Sequence, residues 1–243
     1  MKDLEDNKFE ENGITFHVIE PARIPEVLSF LDKHFLPDEP VCRSLNVKMK
    51  FPFSMVAGEA VKSGASIMAV KDGEIIGVRL AEIISRSDYF TKMFEKMFFF
   101  LLPKICWLFR WKNLRQEIIV FNIMKDIFGY DCWKLHEDLA CDKIHNDLLL
   151  CTSSENRVRG LGTELVKRGE DLGEKLGCTY TAAMVTGNYS ARIFRKLGYD
   201  VKAEIVYNEF RDENGDLYLN DVREHYSCLF CVKKIGKPMM VID

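Results

Sequence analysis

The chain has 243 residues, 47% of them hydrophobic and 29% charged, with a formal net charge of -3. That length buries the core of one large domain, and the charge balance excludes the basic excess that nucleic-acid binding needs, so no nucleic-acid partner is expected. Residues 1–12 are polar and acidic and lack the apolar run of a secretory signal; the expectation is a single cytoplasmic domain over 1–243 with a polar tail over 1–12.

Ile14, Phe16 and Val18 alternate with Thr15 and His17, which predicts a first strand with one buried face. Pro21 to Phe35 follows as a helix, its apolar Ile24, Val27, Leu28 and Leu31 at helical spacing and Pro25 in the first turn. His34-Phe-Leu-Pro-Asp38-Glu39-Pro40 ends it, since a residue before proline is pushed out of the α region. The result is a loop with two adjacent carboxylates, which as plain loop residues would be solvated.

Ala65 to Val70 and Ile75 to Leu80 flank an Asp72-Gly73 turn and predict an antiparallel hairpin. From about 85 to 140 the pattern turns helical and aromatic, and this insert suits a core or dimer contact or the lining of an arene pocket. A membrane span needs roughly 20 apolar residues. Glu95, Lys96, Pro103 and Lys104 interrupt the run, so membrane association is not expected.

Asp147 to Cys151 reads as a short buried central strand, followed by a polar turn and a helix from Thr163 to Leu176 that carries Leu165, Leu172 and Leu176 beside Gly169 and Gly173. Cys178 to Val185 is the next strand, Tyr189 to Leu197 a short helix stopped by Gly198, and Tyr199 to Phe210 another strand. Asp212 to Asp216 turns the chain into a last strand at Tyr226 to Val232. The element order is β-α-β-β-α-β-α-β-α-β-β.

Eight cysteines in such a chain are expected to stay reduced. Cys228-Leu-Phe-Cys231 has the spacing of a redox or zinc pair, but residues three apart on a strand face opposite ways. His136-Glu137 lacks the second histidine of H-E-x-x-H, so no metal is expected.

Arg157-Val158-Arg159-Gly160-Leu161-Gly162-Thr163 lies between a strand and a helix. Helix N-termini expose backbone N–H groups and partial positive charge, glycine lets an anion approach the backbone, and the two arginines add charge. A dinucleotide fingerprint would need glycine at Leu165, and a P-loop would need Gly-Lys-Ser/Thr. Two glycines before a helix describe a tight structural turn equally well.

The segment resembles the R/Q-x-x-G-x-G/A cofactor motif of GNAT N-acyltransferases, with Arg157, Gly160 and Gly162 in the defining places, and Tyr189 to Tyr199, ending Lys196-Leu-Gly-Tyr199, resembles that family's downstream helix. The resemblance implies an α/β GNAT fold, a mostly antiparallel sheet splayed in a V between two central strands with helices on both faces. It also implies acetyl-coenzyme A as co-substrate. The backbone of Leu150, Cys151 and Thr152 would hold the pantetheine arm, residues 157–163 the pyrophosphate, and Asn188 would contribute to the cofactor side.

Within that superfamily, the Asp38-Glu39-Pro40 loop and Asn188-Tyr-Ser-Ala-Arg192 resemble the invertebrate arylalkylamine N-acetyltransferases. The implied acceptor is a small amine such as dopamine, serotonin, octopamine or tyramine, with polyamines and peptide amines, or a non-catalytic acyl-coenzyme A module, as alternatives. An alkylammonium has a pKa of about 10.4 and needs a base before it can attack a thioester. Glu39 takes that role by resemblance, Asp38 contacts the amine or holds the loop, and Thr186 and Ser190 match two proposed catalytic hydroxyls. Ser190 near a helix start also suits a cap. Phe194 stands where many GNAT enzymes carry an acidic tyrosine, leaving the general acid unassigned. No cysteine sits inside these motifs as an obvious nucleophile, so a sequential transfer without a covalent enzyme intermediate is expected; Cys151, beside the implied thioester site, is the cysteine a ping-pong route would use.

Overall fold

The computed structural model describes residues 13–47, 53–88, 132–155, 158–211 and 215–236. Seven strands form one sheet in the order β1-β2-β3-β4-β5-β7-β6. They are β1 (Ile14–Val18), β2 (Ile67–Lys71), β3 (Glu74–Ser85), β4 (Lys143–Thr152), β5 (Tyr180–Val185), β6 (Asp200–Val206) and β7 (Ser227–Lys234). β4 and β5 pair in parallel, and the other neighbours are antiparallel. Six helices accompany them among the described residues: α1 (Ile24–His34), α2 (Pro40–Ser44), α3 (Phe53–Lys62), α4 (Cys132–Leu139), α5 (Leu161–Lys175) and α6 (Asn188–Lys196).

The sequence patterns account for most of these elements. β1 buries Ile14 and Phe16. Asp72 and Gly73 both take positive φ, 51° and 84°, as a two-residue hairpin turn requires. The helix expected from Pro21 is a 3-10 turn over Pro21–Arg23 and then α1, with proline in its opening positions. β3 and β4 run well beyond the predicted strands, to Ser85 and back to Lys143, because the polar residues that break the apolar pattern there find partners in the sheet: Asn146 donates to Glu82 at 3.2 Å, and His145 is buried beside Arg79. α5 begins at Leu161, two residues before the expected start, since Gly160 serves as its N-cap. α3 and the short α2 were not anticipated. Most of the aromatic insert, and residues 212–214 of the predicted last turn, lie outside the described residues. At the expected start of the insert's helix, Ser85 instead ends β3 and Arg86–Asp88 form a 3-10 turn.

Helices cover both faces. On one, α1 and α3 bring Val27, Phe30, Leu31, Ala57, Ala60 and Val61 against Met68, Val78, Leu80 and Leu149. Farther along the same face, Leu36, Val41, Leu135 and Tyr207 pack on Ile144, Ala182 and Phe230. On the other, α5 lays Leu161, Leu165 and Leu172 on Phe16, Ala69 and Ile76, and α6 joins through Ala191 and Phe194 over Ala183, Val185 and Leu229. Cys228 and Cys231 fall in opposite layers. Both are free, as are Cys42, Cys141, Cys151 and Cys178. No group of histidine, cysteine and carboxylate side chains among the described residues has the makings of a metal site, and no described helix is long and apolar enough to cross a membrane.

Candidate active site

A bulge and a divergence at one point of the sheet create the central feature. Against β3, Leu80 pairs with Leu149 but Ala81 pairs with Asp147, so Leu148 is an extra residue in β4. Against β5, pairing runs from Ile144↔Tyr180 to Asp147↔Ala183 and stops there. β5 then continues alongside β7 to Val185↔Leu229, while β4 continues alongside β3 to Thr152. The strands part in a V, and Leu148 to Thr152 present to its opening a strand edge that β5 does not pair.

A buried ionic cluster lies beneath the apex, toward α5. Arg79 of β3, fully buried, ion-pairs with Asp147, and its guanidinium nitrogens lie 3.3 and 3.4 Å from the ring nitrogens of His145. Burial pushes the Asp147 carboxyl up to about 6 against the pull of Arg79, so at neutral pH it is chiefly the ionised partner. Burial first, and then Arg79, holds His145 well below its ordinary value. Gly169 makes the room: a Cβ there would overlap the Arg79 guanidinium, and one at Gly173 would press on the His145 ring at 2.9 Å. The α5 glycines read from the sequence as allowing close approach to the sheet thus accommodate a buried arginine and histidine.

α5 starts beside the V. Gly160 has φ 89°, a left-handed conformation, with open space where a Cβ would be. Val158, Arg159 and Gly160 are exposed. Leu161 turns into the core, and its N–H donates to the Val158 carbonyl at 3.2 Å. Gly162 and Thr163 are the next two residues, in the turn whose N–H groups have no carbonyl one turn back. Gly162 has a packing reason as well, since a Cβ there would lie 3.0 Å from Ile193 Cδ1 of α6. Arg157 lies outside the described residues. Cys151 faces α1 and α3, and burial pushes its thiol up to about 12. It is therefore held as the un-nucleophilic thiol.

The carboxylate loop separates its two acids. Asp38 is exposed, whereas Glu39 is 8% exposed. Glu39 is the N-cap of α2: its Oε2 accepts from the Cys42 N–H, and its Oε1 is buried without a hydrogen-bond partner. One oxygen fixes the side chain and the other is left unengaged. Arg43 ties this loop to the stretch before β7, donating to the Pro37, Asp38 and Asp221 carbonyls at 3.4, 3.3 and 3.1 Å.

The third wall is the β5–α6 turn with the segment before β7. His225, 7% exposed, accepts the Asn188 N–H at Nδ1 over 3.0 Å, so its proton is on Nε2. Burial, chiefly, keeps its pKa below the ordinary value, and the charges of Glu224, Arg43, Glu39 and Asp38 all act on it. Asn188, expected on the cofactor side, is held here through both nitrogens, its Nδ2 donating to the Glu224 carbonyl. Ser190 is not the cap its position suggests: Gly187 is the N-cap, without a side-chain cap bond, and the Ser190 hydroxyl, inside the first turn, donates to the Gly187 carbonyl at 2.9 Å. Tyr207, 1% exposed, donates to the Thr186 carbonyl at 2.6 Å and bridges this turn to β6. Phe194 is buried edge-on to Tyr199, ring centroids 4.7 Å apart, and offers no acid. His225 and Tyr207 escaped the sequence reading, since neither lies in a spaced pattern.

No protein-family model matches the chain. Among solved structures it is similar to arylalkylamine N-acetyltransferase 2 from Aedes aegypti, at 25% identity and a TM-score of 0.77 over 92% of this chain and 100% of that one. It is also similar to a Drosophila melanogaster polyamine N-acetyltransferase that forms N-acetylagmatine, at 17% identity and 0.71 over 91% and 99%, and to mosquito arylalkylamine N-acetyltransferase-like 5b, at 18% and 0.70 over 91% and 99%. The chain carries the mixed-sheet GNAT fold that the motifs at 157–163 and 189–199 suggest, and its structural likeness extends to the insect arylalkylamine N-acetyltransferases, as the Asp38-Glu39-Pro40 loop and residues 188–192 suggest.

Proposed function

We propose that the protein transfers the acetyl group of acetyl-coenzyme A to a primary amine, most directly an arylalkylamine. The observation that carries this reading is the V between β4 and β5, opening at Asp147↔Ala183 beside the head of α5. The residues present suit an acyl-coenzyme A. The Leu148–Thr152 edge offers backbone partners to an extended amide-bearing arm, as an added strand would, and Gly160 to Thr163 with Arg159 offer N–H groups and charge to a pyrophosphate. In the cytoplasm, with no metal, this is a sequential transfer between two bound small molecules.

In that reading Glu39 takes the ammonium proton. Its buried, unengaged Oε1 accepts while Oε2 stays on the α2 cap. The freed amine nitrogen attacks the thioester carbonyl, the C–S bond breaks, and the sulfur leaves as a thiolate and takes up a proton. A backbone N–H at the Leu148 bulge stabilises charge developing on the carbonyl oxygen. Thr186 and Ser190 line the turn as hydrogen-bonding groups, and His225 holds that turn through Asn188. Asp38 sits at the solvent side and attracts the cation. The protonated Cys151 thiol argues against a covalent acetyl-enzyme.

A polyamine is the second acceptor class, favoured by the exposed carboxylates of Asp38 and Glu224, whose charges act on His225 together with that of Glu39 and suit a second positive charge. The discriminating experiment is a competition panel with acetyl-coenzyme A as donor. Tyramine, dopamine, serotonin and octopamine should show higher kcat/KM than agmatine, spermidine or a peptide N-terminus. Preference for a polyamine would move the substrate class, and tight acetyl-coenzyme A binding with no acetylated amine would identify a non-catalytic module.

A further inference from the structure

His34 opens the segment that leads to Asp38 and Glu39, yet none of the roles above uses it. It is the last residue of α1 and 8% exposed, its ring packed on Phe30 at 4.8 Å between centroids. Its Nδ1 lies 2.9 Å from Ser154 Oγ, and the Ser154 N–H points to the same nitrogen at 3.4 Å. A backbone N–H only donates, so Nδ1 is the unprotonated nitrogen and the ring is the neutral Nε2–H tautomer. Burial first, and Lys33 second, lowers the imidazole pKa, with Glu155 and Asp38 pulling the other way.

Ser154 lies just beyond β4, on the stretch that enters the proposed cofactor loop. Its neighbours are fixed locally: the Ser153 N–H donates to the Ile76 carbonyl at 2.8 Å, and the Glu155 N–H to Ser153 Oγ at 3.2 Å. Lys33 also meets Glu155 at 2.8 Å, but those side chains are 59% and 60% exposed, and solvent screens such a pair. The bond to the buried imidazole is the stronger tie. It joins positions 120 residues apart, one leading to the proposed base and the other to the proposed pyrophosphate site.

We infer that His34 is a positioning residue that couples the two halves of the acyl-transfer site, setting the exit of β4 relative to the Glu39 loop through Ser154. This rests on the function proposed above. His34 touches neither substrate and moves no proton. It keeps the amine-side loop and the entrance to the cofactor loop in one register.

The test uses the full chain with His34→Leu, which keeps bulk and removes the acceptor, and His34→Asn, whose amide oxygen replaces Nδ1. Acetyl-coenzyme A affinity is measured by calorimetry, amine turnover by steady-state kinetics, and amide exchange at residues 153–155 in the ligand-free protein. His34→Leu should weaken acetyl-coenzyme A binding about tenfold, the worth of one partly buried hydrogen bond, and His34→Asn should restore it to within about twofold. The wild-type advantage over His34→Leu should persist through the ordinary imidazole range and shrink only as pH falls below it, where the buried ring takes up its proton. Equal affinity in wild type and His34→Leu, or an Asn variant as weak as Leu, overturns the coupling. Should wild type bind no acetyl-coenzyme A, the functional reading fails, and exchange at Ser154 decides alone: faster in Leu and restored in Asn supports the tie, unchanged in Leu removes it.

Discussion

Asp147 and Ala183 form the last rung between β4 and β5, and beyond them the strands follow different neighbours. The bulge residue Leu148 comes next in β4, so the change of register and the opening of the V coincide. Below the bulge His145 and Asp147 face α5, and above it Leu150 takes over that face. One extra residue thereby sets a buried ion pair under the apex and an unshared backbone edge above it.

Glu39 combines a structural and a proposed chemical role, and two substitutions separate them. Glu39→Gln keeps an oxygen to cap α2 but no base, so turnover should fall by about 100-fold or more with acetyl-coenzyme A affinity unchanged. Glu39→Ala should lose the same activity and in addition about 1 kcal/mol of stability from the lost cap. Steady-state kinetics and denaturant melts check both, and a Gln variant with wild-type kcat and an unaltered pH-rate profile would remove Glu39 as base.

Gly160 and Gly162 are required for different reasons, and their variants should differ. At Gly160, φ 89° strains any side chain, so Gly160→Val distorts the head of α5 and weakens acetyl-coenzyme A binding. Gly162→Val presses on Ile193 and should lower the melting temperature as well as affinity. Calorimetry on both variants checks this, and normal affinity in Gly160→Val would discredit the loop as a cofactor site.

The sequence conveyed the frame of the molecule through its periodicities: the hairpin at Asp72-Gly73, the apolar stripe of α5 and the opposite facing of Cys228 and Cys231 all follow from spacing. The ionic cluster did not show, because Arg79 and Asp147 lie far apart in sequence and a charged residue inside a strand ordinarily marks its exposed face. His225 was silent for a similar reason, being a lone histidine in a loop whose partner, Asn188, is supplied by another turn. The Glu39 motif was legible only by resemblance; its burial and its cap are properties of the folded loop.

The Arg79–Asp147 pair yields a stability prediction. Asp147→Ala leaves a guanidinium buried without its counter-ion and should cost about 3–5 kcal/mol, whereas replacing both partners with apolar residues, Arg79→Met with Asp147→Leu, should recover most of it. Denaturant midpoints of single and double variants measure the coupling. Additive losses would show that the pair does not act as a unit.

Acid should destabilise the fold. His34, His145 and His225 all have native pKa values below the ordinary imidazole value. The unfolded chain therefore binds protons below pH of about 6.5 that the native protein refuses, and stability falls as pH drops through that value. Asp147, with its carboxyl pushed up to about 6, takes up its proton earlier in the native state and offsets part of the loss. Denaturant midpoints at a series of pH values from neutral to mildly acidic should decline, and a constant or rising midpoint would contradict the three buried neutral imidazoles.

The account turns on the V as the seat of the acetyl donor, and residue-resolved amide exchange with and without acetyl-coenzyme A tests it most directly. Protection should appear along Leu148 to Thr152 and at Gly162 and Thr163, with the outer rungs of β1 and β6 unchanged. Binding that leaves Leu148 to Thr152 exchanging as in the free protein would contradict it.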